Sequence, residues 1–255
     1  MSTFTLKIIA CITMLIDHIT AIFVPEDYYH FFWLRLGSYE LDVTLYVIGR
    51  AIGRIAFPLF AFLIVQGFLH TRNVKKYMLR LGIFALISEI PYDFAFYGFP
   101  NPIRLFEGQN IFFTLLIGLI AITLIDRIQK NYQKQLMNQQ ATPNSSFFMN
   151  FNIVLVIVGA SLVLYWIRGS YYYNFCYGVL LIIGLFLTHR SRLATLIMYI
   201  LLTGFLCGGV QFMAIFAAPL IYFYNGEKGP SCKYAFYVFY PVHLVILKLI
   251  QLALI

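Results

Sequence analysis

A chain of 255 residues that is 61% hydrophobic and 11% charged, with a mean hydropathy of +0.81, lacks the polar surface of a soluble domain, where roughly 25% of residues are charged. Disorder, a coiled coil and a disulfide scaffold are excluded by the same figures, which leave an integral membrane protein. The 18 Lys and Arg outnumber the 10 Asp and Glu, but no basic stripe is interleaved with aromatics in a polar domain, so the excess belongs to membrane loops and not to nucleic-acid binding.

Nine apolar runs follow in chain order, at about 4–24, 46–69, 77–99, 110–126, 151–168, 171–188, 193–207, 209–224 and 235–254. A crossing helix needs about 20 such residues, so the runs predict an all-α, polytopic helix bundle forming one integral membrane domain over 1–255. No small-residue cleavage site follows the first run, which reads as a retained helix. The stretch from Phe31 to Leu45 is amphipathic and is expected at the interface. Runs seven and eight are short and share the break at Cys207-Gly208-Gly209, which predicts a tight hairpin or a re-entrant pair. Arg127 to Asn150 reads as a polar cytoplasmic linker, and Tyr171–Tyr173 as part of an aromatic belt. Cys11, Cys176, Cys207 and Cys232 are scattered without a CxxC, so neither a disulfide framework nor a metal site is expected.

The loops orient the chain. Connections after even-numbered runs carry Arg72, Lys75, Lys76, Arg80, Arg127, Lys130, Lys134, Arg190, Arg192, Lys228 and Lys233. Those after odd-numbered runs carry only Arg35, Arg104 and Arg168, and the first also holds Glu26, Asp27, Glu40 and Asp42. Positive charge stays on the cytoplasmic side, which places the N-terminus inside and the C-terminus outside.

Ionisable groups inside a bilayer are costly and mark function by default. Here they are Lys7, Asp17, His18, Arg50, Arg54, Glu89, Asp93 and His243, with Gln66, Asn110 and Gln211 as neutral company. Lys7 and His18 are about 16 Å apart along the first helix and share one face, because eleven residues make three turns plus about 20°. Asp17 points about 100° away from His18. Arg50 and Arg54 share a face at spacing i, i+4, as do Glu89 and Asp93, with Pro91 loosening the backbone between them. Lys7 lies near the cytoplasm, whereas the acids, arginines and histidines converge on the middle-to-outer membrane, where mutual pairing tolerates them best. His70 and His189 read as interfacial loop histidines. A histidine among carboxylates and arginines suits general-base or acyl-transfer chemistry. It equally suits a proton-coupled transporter, and the residues alone leave the two open. Haem ligation lacks a CxxCH motif.

Leu6-Lys7-Ile8-Ile9-Ala10 through Met14-Leu15-Ile16-Asp17-His18 resembles the opening of the TraX family of membrane proteins. So do Gly53 to Phe62 (GRIAFPLFAF), Gly67-Phe68, His70-Thr71-Arg72-Asn73 and Tyr77 to Asp93 (YMLRLGIFALISEIPYD). Later echoes are Asn110 to Thr114, Tyr224 to Gly229 (YNGEKG) and Phe239-Tyr240-Pro241-Val242-His243.

The resemblance implies a role like the N-terminal acetylation of conjugative pilin. It also implies kinship with membrane acyltransferases that use cytoplasmic acetyl-CoA. Those proteins carry a basic residue, ten residues and a histidine on the first helix, a pattern that Lys7 and His18 match with Lys for the commoner Arg. On this footing His18 is the expected catalytic group, base or transient acetyl carrier, with Asp17 or Glu89 orienting it. Arg50, Arg54, Asp93 and His243 are expected at the acceptor or its oxyanion. Lys7, Lys75, Lys76 and Arg80 are expected at the phosphates of CoA. The acceptor could be a pilin or other peptide N-terminus, a glycan or a lipid, and the location is the inner, cytoplasmic membrane. Such an enzyme needs a passage from the cytoplasmic face to the depth of His18. The rival readings are a small-solute transporter and an assembly or scaffold protein of a conjugation or secretion apparatus.

Overall fold

A computed structural model describes residues 1–24, 30–36, 39–98, 108–168, 176–230 and 233–254, the side chains of 30–43, 167–168 and 233 excepted. The first helix, α1 (Thr3–Phe23), starts where the Ser2 hydroxyl accepts from the Thr5 amide and ends before Pro25, which disfavours helix in the residue preceding it. A small antiparallel hairpin follows, β1 (His30–Leu36) paired with β2 (Tyr39–Thr44). The amphipathic stretch is thus extended, as the alternation in Glu40-Leu41-Asp42-Val43-Thr44 allows.

The second predicted span is one apolar stretch, Leu45–His70, jointed at Arg54–Ile55 into α2 (Leu45–Gly53) and α3 (Ala56–His70). Then come α4 (Val74–Tyr97), capped by the Asn73 side chain, and α5 (Ile111–Met137), capped by Asn110. Next are α6 (Ser145–Arg168), α7 (Tyr177–Thr188) and α8 (Arg192–Leu206). The chain finishes with a 3-10 helix (Gly209–Ala217), α9 (Ala218–Tyr222) and α10 (Lys233–Leu254). Each of the nine predicted runs therefore coincides with a helical segment among the described residues.

Five of these segments are long and apolar enough to cross a membrane: Thr3–Phe23, Leu45–His70, Ile111–Met137, Ser145–Trp166 and Tyr234–Leu254. The 24-residue α4 has the length but carries Lys75, Lys76, Arg80, Glu89 and Asp93. The 12-residue α7 reaches only about 18 Å. It has no polar face, and Val179, Leu181, Ile182, Ile183 and Leu185 are all buried, as expected of a helix enclosed by others. It packs on α3, α5 and α8, and so forms the centre of the bundle. Runs seven and eight form the hairpin: α8 packs back on the 3-10 helix and α9, and the Tyr199 hydroxyl donates to the Ala214 carbonyl.

The linker expectation needs correction. Helix α5 runs on to Met137 and α6 begins at Ser145, so only residues 138–144 of that stretch are non-helical. Lys, Gln and Leu are good helix formers whether or not they are solvated, and Asp126 and Lys130 make an i, i+4 pair at 2.7 Å on the extension. Tyr171–Tyr173, Arg104, Glu26, Asp27 and Cys232 lie outside the described residues.

Candidate active site

Asp17 sits where α1 meets α2. Its Oδ2 is 2.9 Å from Arg50 Nη1 and its Oδ1 3.4 Å from Arg54 Nη2. Arg54 Nη1 also donates to Gln211 Oε1 at 3.1 Å, tying the 3-10 helix to the same cluster. The i, i+4 arginines thus share one carboxylate, as their common face requires, and the charges balance to one excess cation. Gly49 and Gly53 let the helices approach: a Cβ on Gly49 would fall 2.0 Å from Thr20 Oγ1. Four-residue spacing of glycines is a recurrent device for close helix packing in membranes.

His18 faces elsewhere. Its Nδ1 lies 2.7 Å from Nε2 of His243 on α10, with the ring planes 5° apart and the centroids separated by 5.0 Å. So long a centroid separation at so short a nitrogen distance is an edge-to-edge hydrogen bond in a shared plane, not face stacking. The other nitrogen of His243, Nδ1, donates to the Phe239 carbonyl at 2.7 Å. Phe96 and Tyr240 meet the His18 ring edge-on at 5.4 and 6.2 Å, and both histidines are buried.

Neither carboxylate expected to orient His18 does so through a contact of its own. Asp17 is held by the arginines. Glu89 Oε2 accepts from the Asn110 backbone amide at 3.2 Å and from the Asn110 side chain, whose Nδ2 also donates to the Ala85 carbonyl at 2.8 Å. Glu89 therefore anchors the start of α5 on α4. Asp93, one turn further, is 4% exposed, and its Oδ1 has no hydrogen-bond partner among the described residues. It lies three residues before Phe96, on the face of α4 that meets His18.

A cavity of about 720 Å³ is lined by residues that include Thr3 and Met14 of α1, Arg72 and Gly226, and Phe112 and Tyr240. Lys7, Arg72, Lys76, Arg80 and Lys228 line it, and no carboxylate does among the described lining residues. From Thr3 to Met14 it follows α1 for about 16 Å. His18 is one turn beyond Met14, its ring centre 6.2 Å from that of Tyr240. Along α1 the lining of the cavity therefore ends at Met14, one turn short of His18. Lys75 is exposed and does not line the cavity, whereas Lys7 does, its ammonium 5.3 Å from the Phe236 ring centre.

Two cations of the mouth were read from the sequence only as topology: Arg72 and Lys228. Lys228 is placed by the loop after α9, which closes over the start of α1. The Thr3 and Phe4 amides donate to the Glu227 and Lys228 carbonyls at 2.7 and 3.2 Å, so the loop satisfies helix-terminal donors that have no partner within α1. The glycines flanking Glu227-Lys228 were the available signal, since they mark a tight turn beside a cation. This contact also puts the N-terminus and a cationic loop at the same end of the bundle, in agreement with the orientation from loop charge.

A family model described as TraX protein matches residues 2–251. A protein of Dichelobacter nodosus named probable fimbrial assembly protein FimC, serogroup H1, is 30% identical over 260 residues, covering 96% of this chain and 94% of that one. No solved structure matches the chain.

Proposed function

The chain belongs to the TraX family, and on that premise we propose that it is a membrane acetyltransferase of pilus or fimbria assembly, with acetyl-CoA as donor. The observation that carries this reading is a cavity lined by five cations and, among the described residues, no carboxylate, which reaches the Tyr240 ring 6.2 Å from the His18 that pairs with His243. The residues present fit the donor. Five cations at the mouth match a phosphate-rich nucleotide, and the deeper walls at Met14, Leu63 and Phe112 match an uncharged arm.

Bound there, acetyl-CoA supplies a thioester whose carbonyl carbon forms a bond to the acceptor nitrogen as the C–S bond breaks. His18 takes the proton that leaves the nitrogen and returns it to the departing sulfur, so the imidazole ends neutral as it began. Asp93 holds the incoming neutral amine by accepting from its second N–H, since Asp93 Oδ1 is buried with no hydrogen-bond partner among the described residues. Arg50, Arg54 and Asp17 hold α1, α2 and the 3-10 helix in register beneath this site.

Radiolabelled acetyl-CoA and protein purified in detergent test the reading. Saturable binding, weakened at least about tenfold by Lys7→Ala or Arg80→Ala, is the expected result. His18→Ala keeps binding but loses transfer to a peptide amine. No binding at all sinks the enzyme and favours a structural part in assembly, the second reading that the name of the Dichelobacter nodosus relative supports. Solute-driven proton flux in liposomes without acetyl-CoA binding would point to the transporter instead.

A further inference from the structure

We infer that His243 is a positioning residue that fixes the tautomer of His18, leaving Nε2 of His18 as the nitrogen with the reactive lone pair. The inference rests on the acetyl-transfer reading for its use in catalysis, but its geometry stands without that reading.

The chain of hydrogen bonds has one consistent direction. A carbonyl oxygen only accepts, so the 2.7 Å contact to Phe239 requires the proton of His243 on Nδ1. A neutral His243 then has a bare Nε2, which can only accept. Across the 2.7 Å contact, His18 must donate from Nδ1. The proton of a neutral His18 is thereby committed, and its Nε2 is bare. The alternative needs a doubly protonated His243. That ring is 5% exposed and lies between Phe239 and Tyr240, surroundings that solvate a cation poorly. The guanidiniums of Arg50 on α2 and Arg54 at its end, held against the neighbouring Asp17, add further positive charge nearby.

The partner also suits a base that must give its proton back. When Nε2 of His18 gains a proton, the resulting imidazolium keeps Nδ1–H pointed at a neutral acceptor, itself polarised by the Phe239 carbonyl. A carboxylate in that place would hold the charge more tightly and slow its release. Tautomer control by the hydrogen bond on the opposite nitrogen is a general property of histidine.

The experiment is nitrogen NMR on the full chain in detergent, labelled with 15N-histidine, with the His18 resonances assigned from His18→Gln. Expected are a protonated Nδ1 and a bare Nε2 on His18, the same pattern on His243, and a coupling between His18 Nδ1 and His243 Nε2. His243→Phe, which keeps an aromatic ring but no acceptor, should move the His18 proton toward Nε2. His243→Gln, whose amide oxygen can accept, should restore it. Transfer should fall on the order of 100-fold in His243→Phe with the KM for acetyl-CoA unchanged, and recover in part in His243→Gln. A wild-type His18 protonated on Nε2, or a tautomer indifferent to His243→Phe, overturns the inference. The expected tautomer in a protein that transfers no acetyl group would instead overturn only the enzymatic reading.

Discussion

Gly53 and Asp17 approach so closely that a Cβ on the glycine would lie 2.2 Å from Asp17 Oδ1. That approach lets one carboxylate on α1 receive the guanidiniums of Arg50 on α2 and of Arg54 at the joint after it. Gly53→Ala should therefore force α1 and α2 apart, at a cost of about 1–3 kcal/mol. The thermal unfolding midpoint in detergent should drop, and Gly49→Ala should act the same way through Thr20. An unchanged midpoint in both variants would show that the two helices do not pack through this glycine face.

The cationic mouth yields a prediction with its own control. Arg72→Ala and Lys228→Ala should each weaken acetyl-CoA binding by about tenfold, with a shallower salt dependence because fewer charges take part. Lys75→Ala should leave affinity unchanged, since that side chain lies outside the cavity. Equal losses from all three would mean that only diffuse positive charge matters, and isothermal titration across a salt series separates the two cases.

Asn110 does three jobs at once: it caps α5 through the Phe112 amide, donates to the Ala85 carbonyl, and meets the Glu89 carboxylate. Asn110→Ala should cost about 1–3 kcal/mol. Asn110→Asp keeps the cap oxygen but sets a second carboxylate beside Glu89, so it should unfold at lower temperature than Asn110→Ala. The reverse order would mean that the cap outweighs the contact with Glu89.

Helix periodicity made the lateral relations legible. Lys7 and Met14 line one cavity with His18 one turn on, and Arg50 and Arg54 converge on one partner, as their spacings require. Relations between distant segments were not legible: nothing in local spacing joins His18 to His243, 225 positions away. Asp17 and Glu89 were natural candidates to orient His18, yet nearer cations and an amide cap claimed them. The helical extension of α5 was hidden because its polarity resembles a linker, although its Lys, Gln and Leu content favours helix. Hydropathy located the short α7 but could not reveal that neighbouring helices enclose it.

Tyr240 lies where the cavity ends and the histidines begin, its ring 6.2 Å from His18, 5.8 Å from His243 and 5.0 Å from Phe112. On the proposed reaction, a donor arm would have to pass that ring to bring its thioester to His18. The barrier can be probed without relying on catalysis, in a His18→Cys chain whose four native cysteines are replaced by alanine. A small charged thiol reagent applied from the cytoplasmic side of inverted vesicles should label the introduced thiol slowly while Tyr240 is present. Tyr240→Ala should speed labelling at least about tenfold, because reactivity of a thiol follows its access as well as its ionisation. Tyr240→Phe should stay slow, since it keeps the ring. The alanine variant also leaves a void and should lose about 3–5 kcal/mol of stability, so Tyr240→Leu, which fills more of the space, checks that faster labelling is not unfolding. Rapid labelling with Tyr240 intact would mean that the cavity already reaches His18 and that no ring movement separates donor from base.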